Sequence, residues 1–223
     1  MKYLCLVYHD EKQLDALSAS AYNALVGDTL AHGEVMNMKE IEMRKIVAGL
    51  FMSLDGVMES PEKWQLPYFN DEMGAAVGSL IAAGDTLLLG RRTYQEFADA
   101  FADKTGDANA DQMNNTPKLV VSTTLDTVAW QNSTLIKGNV VEELTKLKQQ
   151  PGRNINISGS ATLIQSLLRD NLLDELHLLV HPIVVGSGKR LFPDGGDQVA
   201  LTLVDSRTFS TGVLHLTYQP ANT

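Results

Sequence analysis

The 223-residue chain has one cysteine, Cys5, an aromatic content of only 6%, and fewer bases than acids, with 18 Lys and Arg against 27 Asp and Glu. Each scarcity removes a class of protein. A single cysteine builds neither an intramolecular disulfide nor a Cys-rich zinc site, and it suits a reducing compartment. The formal charge of -9 opposes a phosphate-backbone partner, because affinity for nucleic acid rests on Lys and Arg displacing counterions. A local basic spot can still hold one small anion. No run approaches roughly 18 uninterrupted apolar residues, and no basic stretch leads into an apolar run with a small-residue cleavage site. The expectation is a cytoplasmic protein with no membrane partner, and the sequence carries no internal repeat or low-complexity block.

What is present is ordinary. With 44% hydrophobic and 20% charged residues, the composition is that of a soluble globular protein. The length suits one domain of about 100 to 200 residues plus an extra element. Residues 3–8 form a short apolar run suited to a strand, and residues 20–32 read as a helix. The stretch 33–42 has no clear period and reads as a linker. A boundary is therefore expected between an appendage, residues 1–42, and a main domain, residues 43–223.

From Met43 onward strands and helices alternate, the signature of crossovers between parallel strands. Strands are expected at 45–51, 86–90, 118–122, 154–158 and 175–181, with helices at 71–82, 93–102, 141–149 and 161–169. Runs such as Thr86-Leu87-Leu88-Leu89 are apolar on consecutive residues, as a sheet covered on both faces requires. Residues 201–207 and 213–219 alternate more and flank Ser210-Thr211-Gly212, which predicts an antiparallel hairpin at one edge. The Asp-, Asn- and Gly-rich stretch 103–115 reads as an exposed, mobile loop. The expected fold class is α/β, a mostly parallel central sheet with helices on both faces and an antiparallel C-terminal edge.

Two junctions carry potential chemistry. In Leu89-Gly90-Arg91-Arg92-Thr93-Tyr94 an apolar strand runs into a helix, with Gly90 permitting the turn and Thr93 able to cap. Arginines beside a helix N-terminus can make an anion site, and Arg forks onto phosphate. A capped helix with two solvated arginines is the plain alternative. Ile157-Ser158-Gly159-Ser160-Ala161-Thr162-Leu163 is a second such junction, whose small residues would let a ligand approach the backbone. Alone it is a strand-to-helix turn. Two in one parallel sheet point to a dinucleotide, since ligands bind beyond the carboxyl ends of strands. A third segment, Ser53-Leu54-Asp55-Gly56, leaves the first strand with one carboxylate. Asp55 either relays a proton or is an Asp-Gly turn residue.

Residues 44–219 resemble the dihydrofolate reductase-like superfamily, especially the group that shares its domain with the reductase half of riboflavin-biosynthesis enzymes. Those three segments carry the resemblance together with His181-Pro182-Ile183-Val184-Val185-Gly186-Ser187-Gly188-Lys189-Arg190-Leu191-Phe192. The resemblance implies NADPH across the carboxyl edge of the sheet, handing a hydride to a C=N or C=O bond of a small heteroaromatic or carbonyl substrate. It implies that Gly90, Arg91, Arg92 and Thr93 bind phosphate, that Ser122 and Thr123 lie near the adenosine ribose, and that Ser158, Gly159, Ser160, Ala161, Thr162 and Leu163 hold the pyrophosphate. By the same resemblance the Ala48 backbone meets the nicotinamide carboxamide and Asp55 sits on the loop over the reacting face, with Ser53 beside it as a substrate contact. Trp64, Tyr68 and Phe69 cluster just after that loop, so Trp64 and Phe69 read either as a substrate-stacking wall or as ordinary packing. A homodimer paired through edge strands is also implied. The alternative from another class is a nucleotide-binding module of this fold without turnover.

Departures limit the substrate. Trp64-Gln65-Leu66-Pro67 is followed by Tyr68 and Phe69 where dihydrofolate reductases place a pterin-binding carboxylate, which argues against folate. Tyr94-Gln95-Glu96-Phe97-Ala98-Asp99 replaces the Asp-Asp-Pro-x-Leu-x-x-Arg run of riboflavin-type reductases, which argues against a ribosyl-phosphate. Residues 1–38 resemble the opening strand and helix of YCII-like, DGPF-type domains; His9 and Asp10 there read as an accidental pair. His177 and His181 are four apart on an expected strand, roughly 13 Å, so no metal site is expected.

Overall fold

The computed structural model describes residues 43–196 and 198–221; the appendage expected at residues 1–42, with His9 and Asp10, lies outside them. Eight strands form one sheet: β1 (Ile46–Ser53), β2 (Gly84–Gly90), β3 (Lys118–Val121), β4 (Ser133–Ile136), β5 (Asn154–Ile157), β6 (Glu175–His181), β7 (Leu201–Thr208) and β8 (Leu214–Pro220). Their order is β4-β3-β2-β5-β1-β6-β8-β7. Pairing is parallel from β4 through β6, and β8 then runs antiparallel to both β6 and β7. The helices are α1 (Asp71–Ala83), α2 (Arg91–Phe101), α3 (Ala108–Asn115), α4 (Val140–Lys148) and α5 (Ala161–Arg169). No described helix is long and apolar enough to cross a membrane.

Strand parity explains the layers, because successive side chains leave a strand on opposite faces. Leu88 packs with Leu144 of α4 and with Leu163, Ile164, Leu167 and Leu168 of α5. Its neighbour Leu89 packs on the other face with Tyr94 of α2 and with Trp130. Ile46, Ala48 and Leu50 of β1 join the first cluster, whereas Phe51 packs against the Met73 cluster of α1. Gly49 faces the same way as Phe51, and a Cβ there would stand 3.3 Å from Leu80 of α1. Both faces are therefore apolar, which is why the strands read as continuous hydrophobic runs. At the amino edge, Arg44 binds the Asp85 carboxylate, Thr86 Oγ1 at 2.8 Å and the Arg153 carbonyl at 2.8 Å, tying the starts of β1, β2 and β5 together.

Three expectations need correction. The stretch 103–115 contains α3, capped by Asp107, whose carboxylate accepts the Asn109 and Ala110 amides at 3.0 and 2.9 Å. Its buried Asn114 accepts the Trp130 indole N–H at 2.6 Å and donates to the Phe101 and Lys104 carbonyls. β4 is a strand that residue pattern alone did not predict. Finally, α2 begins at Arg91, with Gly90 in the N-cap position and extended at φ -74° and ψ 158°, so Thr93 lies inside the first turn. Another polar surprise is Lys118, which is 1% exposed. Its ammonium donates to the Met113, Asn114 and Thr116 carbonyls at the end of α3 and lies 4.2 Å from the Trp130 ring centroid.

Leu167 is 1% exposed in the main core, where truncation leaves a cavity beneath α5. Leu167→Ala is expected to lower unfolding stability by about 2 to 5 kcal/mol, measured by urea denaturation; a loss within experimental scatter would contradict the assigned packing.

Candidate active site

The two junctions meet. β2 and β5 are neighbours, each ends at the carboxyl edge, and each feeds a helix. The Gly90 amide donates to the Gly159 carbonyl at 3.3 Å across the gap. A Cβ on Gly90 would collide with Ser160 Oγ, and a Cβ on Gly159 would stand 2.8 Å from Thr93 Oγ1. Each glycine thus makes room for a side chain of the other turn. Gly159 also has φ +145°, where L side chains are rarely found. With larger residues the helix starts would be pushed apart.

Electrostatics at these starts is unusual. The first turns of α1 and α4 carry acids, Asp71 with Glu72 and Glu142 with Glu143, which suit the positive end of a helix. The first turns of α2 and α5 carry none, and neither helix has a side-chain cap. Their leading N–H groups are left for another partner. α2 instead opens on Arg91 and Arg92, so two positive side chains sit at a positive helix end. Arg91 bonds only a neutral group, Gln95 Oε1, at 3.1 Å, and neither arginine forms an ion pair with another described residue. A helix start of this kind suits an anion, and phosphate can accept from both backbone amides and a guanidinium fork.

The last β1–β5 pairing is Ala48 with Ile157, while β1 continues to Ser53 paired with β6 alone. Ala48 itself is fully buried, so beyond it β1 has an edge without a β5 partner, and Ala48 can offer only its backbone. Ser158 and Thr162 are exposed, Ser160 and Ala161 half-buried, and Leu163 is buried in the core. Leu163 can offer a backbone amide only. Thr123 is exposed, but Ser122 is buried and its hydroxyl accepts the Thr124 and Leu125 amides at 3.1 and 3.0 Å. Ser122 shapes the turn rather than offering a free hydroxyl.

Asp55 is tied into the fold by its carboxylate. Its carboxylate accepts the Ser53 hydroxyl at 2.7 Å, the Val185 amide at 3.0 Å and the Gly186 amide at 2.9 Å. Those bonds, the Ser53 hydroxyl foremost and then the two amides, hold its pKa down to about 2 from 3.8. A carboxyl so held stays ionised and does not donate a proton near neutral pH. Ser53 is fully buried; its hydroxyl orients Asp55, and its oxygen also accepts the Val57 amide at 2.9 Å. The two residues staple the turn after β1 to the loop after β6, and Arg190 Nε adds a bond to the Asp55 carbonyl at 3.0 Å.

Of the expected substrate contacts, Phe69 is 50% exposed and available. Trp64 is 8% exposed, its indole N–H donates to the Glu59 carbonyl at 3.1 Å, and its ring lies edge-on to His181 at 5.2 Å. It is packed inward in this state. Sequence pattern does not single out His181 as a site residue; its burial at a strand end is visible only in three dimensions. Among the described residues no group of three or more His, Cys, Asp or Glu could hold a metal ion.

Comparison with known proteins agrees with this architecture. The RibD C-terminal domain family matches residues 44–215. The Bacillus subtilis (strain 168) protein YyaP is 31% identical over 186 residues, covering 80% of this chain and 96% of its own. A pyrimidine reductase-like protein from Corynebacterium diphtheriae superposes with a TM-score of 0.60 at 13% identity, over 88% of this chain and 99% of its own. Dihydrofolate reductase from Enterococcus faecalis, complexed with NADP(H), superposes with a TM-score of 0.54 at 18% identity, over 80% and 97%. The dihydrofolate reductase-like fold expected from the sequence is the fold observed.

Because the Asp55 carboxyl is depressed on folding, its stabilisation is complete above its ordinary pKa of 3.8 and disappears as pH falls through about 2. Asp55→Asn is expected to melt below wild type near neutral pH, with the two melting temperatures converging as pH drops across that window. Parallel curves throughout would contradict the staple.

Proposed function

The chain belongs to the RibD C-terminal domain family, and on that premise we propose that it is an NADPH-dependent reductase, acting in the cytoplasm on a C=N or C=O bond of a small heteroaromatic or carbonyl substrate. The observation that carries this reading is the contact of two uncapped helix starts, one of them opening on two arginines without acidic partners. A dinucleotide has the matching pattern, a pyrophosphate in the middle and, in NADPH, a further phosphate at one end. The Enterococcus enzyme of the same fold binds NADP(H), which supports the choice of cofactor.

The residues present fit that group. The amides of Ala161, Thr162 and Leu163 would take the pyrophosphate, with Gly159 removing the side chain that would block it. Arg91 and Arg92 would take the terminal phosphate, and Thr123 would border the ribose. The flank of β1 at Ala48 would meet the nicotinamide end. When bound, NADPH supplies the hydride; the protein supplies position and a dry surface. The Asp55 staple holds the loops after β1 and β6 together at the carboxyl end of β1. With Asp55 ionised, the proton that completes reduction comes from water. Phe69 offers an aromatic wall to a flat substrate. Two copies paired along the outer edge of β7, which is unpaired among the described residues, complete the proposal.

Titration of intrinsic fluorescence with NADPH and NADH tests it. Losing a forked charge-assisted contact costs about 1.5 to 3 kcal/mol, so Arg91→Ala or Arg92→Ala is expected to weaken NADPH about tenfold or more while leaving NADH nearly unchanged. Equal losses for both cofactors would remove the arginines from the phosphate, and no NADPH binding by wild type would overturn the reductase reading.

A further inference from the structure

His181 ends β6, opposite Ser53 of β1, and its side chain is 0% exposed. Nδ1 lies 2.8 Å from the Leu179 carbonyl. A carbonyl only accepts, so Nδ1 carries the proton and the neutral ring presents Nε2 as a bare acceptor. Burial, the largest effect, lowers the pKa of this imidazole against a smaller raising effect from the backbone of Leu179 and Met52 beside the ring, and the net shift favours the neutral form. Nε2 has no hydrogen-bond partner among the described residues. Around the ring stand Trp64, Phe51 and Tyr68, edge-on at centroid distances of 5.2, 5.7 and 5.7 Å. None of these contacts replaces a hydrogen-bond donor, and buried polar atoms are rarely left without one.

Gln65 Oε1 and Thr211 Oγ1, on neighbouring segments, are also buried without partners among the described residues, as are Ser133 Oγ and Asn156 Oδ1 elsewhere in the sheet. The segments of Gln65 and Thr211 meet near His181: Asn70 donates to Ser210 Oγ at 3.0 Å, Tyr68 packs with Phe209 and Val213, and Gly212 adjoins Pro182. The covering segment consists of two single 3-10 turns, Pro61–Lys63 and Leu66–Tyr68. Its turn hydrogen bonds stay within the segment, from Lys63 to Ser60, Trp64 and Gln65 to Pro61, Tyr68 to Gln65, and Phe69 to Leu66. Moving the Trp64 ring off His181 would cost its indole bond to the Glu59 carbonyl but no strand ladder.

We propose that His181 Nε2 is the acceptor at the floor of the substrate pocket, reached when Trp64 moves aside, and that it selects planar ligands with a ring N–H or O–H donor. The proposal rests on the reading of the carboxyl edge as the reductase site and assigns that site a specificity-determining residue. An acceptor-only floor pairs with a donor and leaves an N-methylated ring facing an unmet lone pair, which is where strong discrimination arises. An acceptor kept unpaired in the free protein also penalises folding, so removing it should stabilise the chain.

The test uses the full chain and its His181→Phe and His181→Leu variants. Melting temperature is expected to rise by about 2 to 4 °C in at least one variant; a fall in both makes His181 a structural residue and overturns the proposal. Calorimetric titration then compares lumazine, whose ring N–H groups donate, with its N,N-dimethyl derivative, each with NADPH at saturation. Wild type is expected to bind lumazine about tenfold or more tightly than the dimethyl compound, and His181→Phe to erase the difference. Equal affinities in wild type, no binding of either compound, or a preference that survives in the variant would each overturn it. NADPH titrations of the variants should match wild type; if wild type itself fails to bind NADPH, the reductase reading falls, while the melting shift and lumazine titrations without cofactor still judge His181.

Discussion

The site depends on one close approach, the Gly90 amide on the Gly159 carbonyl at 3.3 Å. Neither turn is exceptional alone. Brought together by the β2–β5 pairing, they place the positive ends of α2 and α5 side by side with no acid to neutralise either. The sheet order makes this possible: β5 inserts between β2 and β1, so the chain returns to the centre after building outward through β3 and β4. That is a topological switch point, where α/β proteins leave a crevice beyond the strand ends.

On the other side of β1 a second device sets the crevice wall. Asp55, oriented by Ser53, captures two amides of the loop after β6. The low carboxyl pKa follows from those bonds and keeps Asp55 ionised. The device is structural in energy and functional in place, because it fixes two loops beside the edge of β1 that lacks a β5 partner. His181 lies under the same pair of strands, so one bonded carboxylate and one unbonded imidazole flank the proposed substrate region with opposite consequences for stability.

Much of this fold was legible from residue pattern. β6 and α5 begin and end where expected, because Glu-Leu-His-Leu-Leu-Val-His alternates into the ladder and Ala161-Thr162-Leu163 opens an amphipathic helix after a small-residue turn. α3 was not legible: Ala-Asn-Ala-Asp-Gln-Met-Asn-Asn has no apolar stripe, and the helix is held by the Asp107 cap and the Asn114 bonds instead. β4 is four residues long, too short to show a period. Thr93 looked like a cap because threonine caps helices; in the fold its hydroxyl abuts Gly159, a relation that pairing, not local sequence, creates. The same limit applies to Ser53 and Ser122, whose hydroxyls read as ligand groups in a line of residues and prove to be spent on neighbouring backbone and side-chain atoms.

The central claim is that both helix starts grip a single dinucleotide, and amide NMR of the full chain during an NADPH titration tests it most directly. The N–H signals of Arg91, Arg92 and Thr93 should shift together with those of Ala161, Thr162 and Leu163 and yield one common dissociation constant. Movement of only one set, or of neither, would contradict the account.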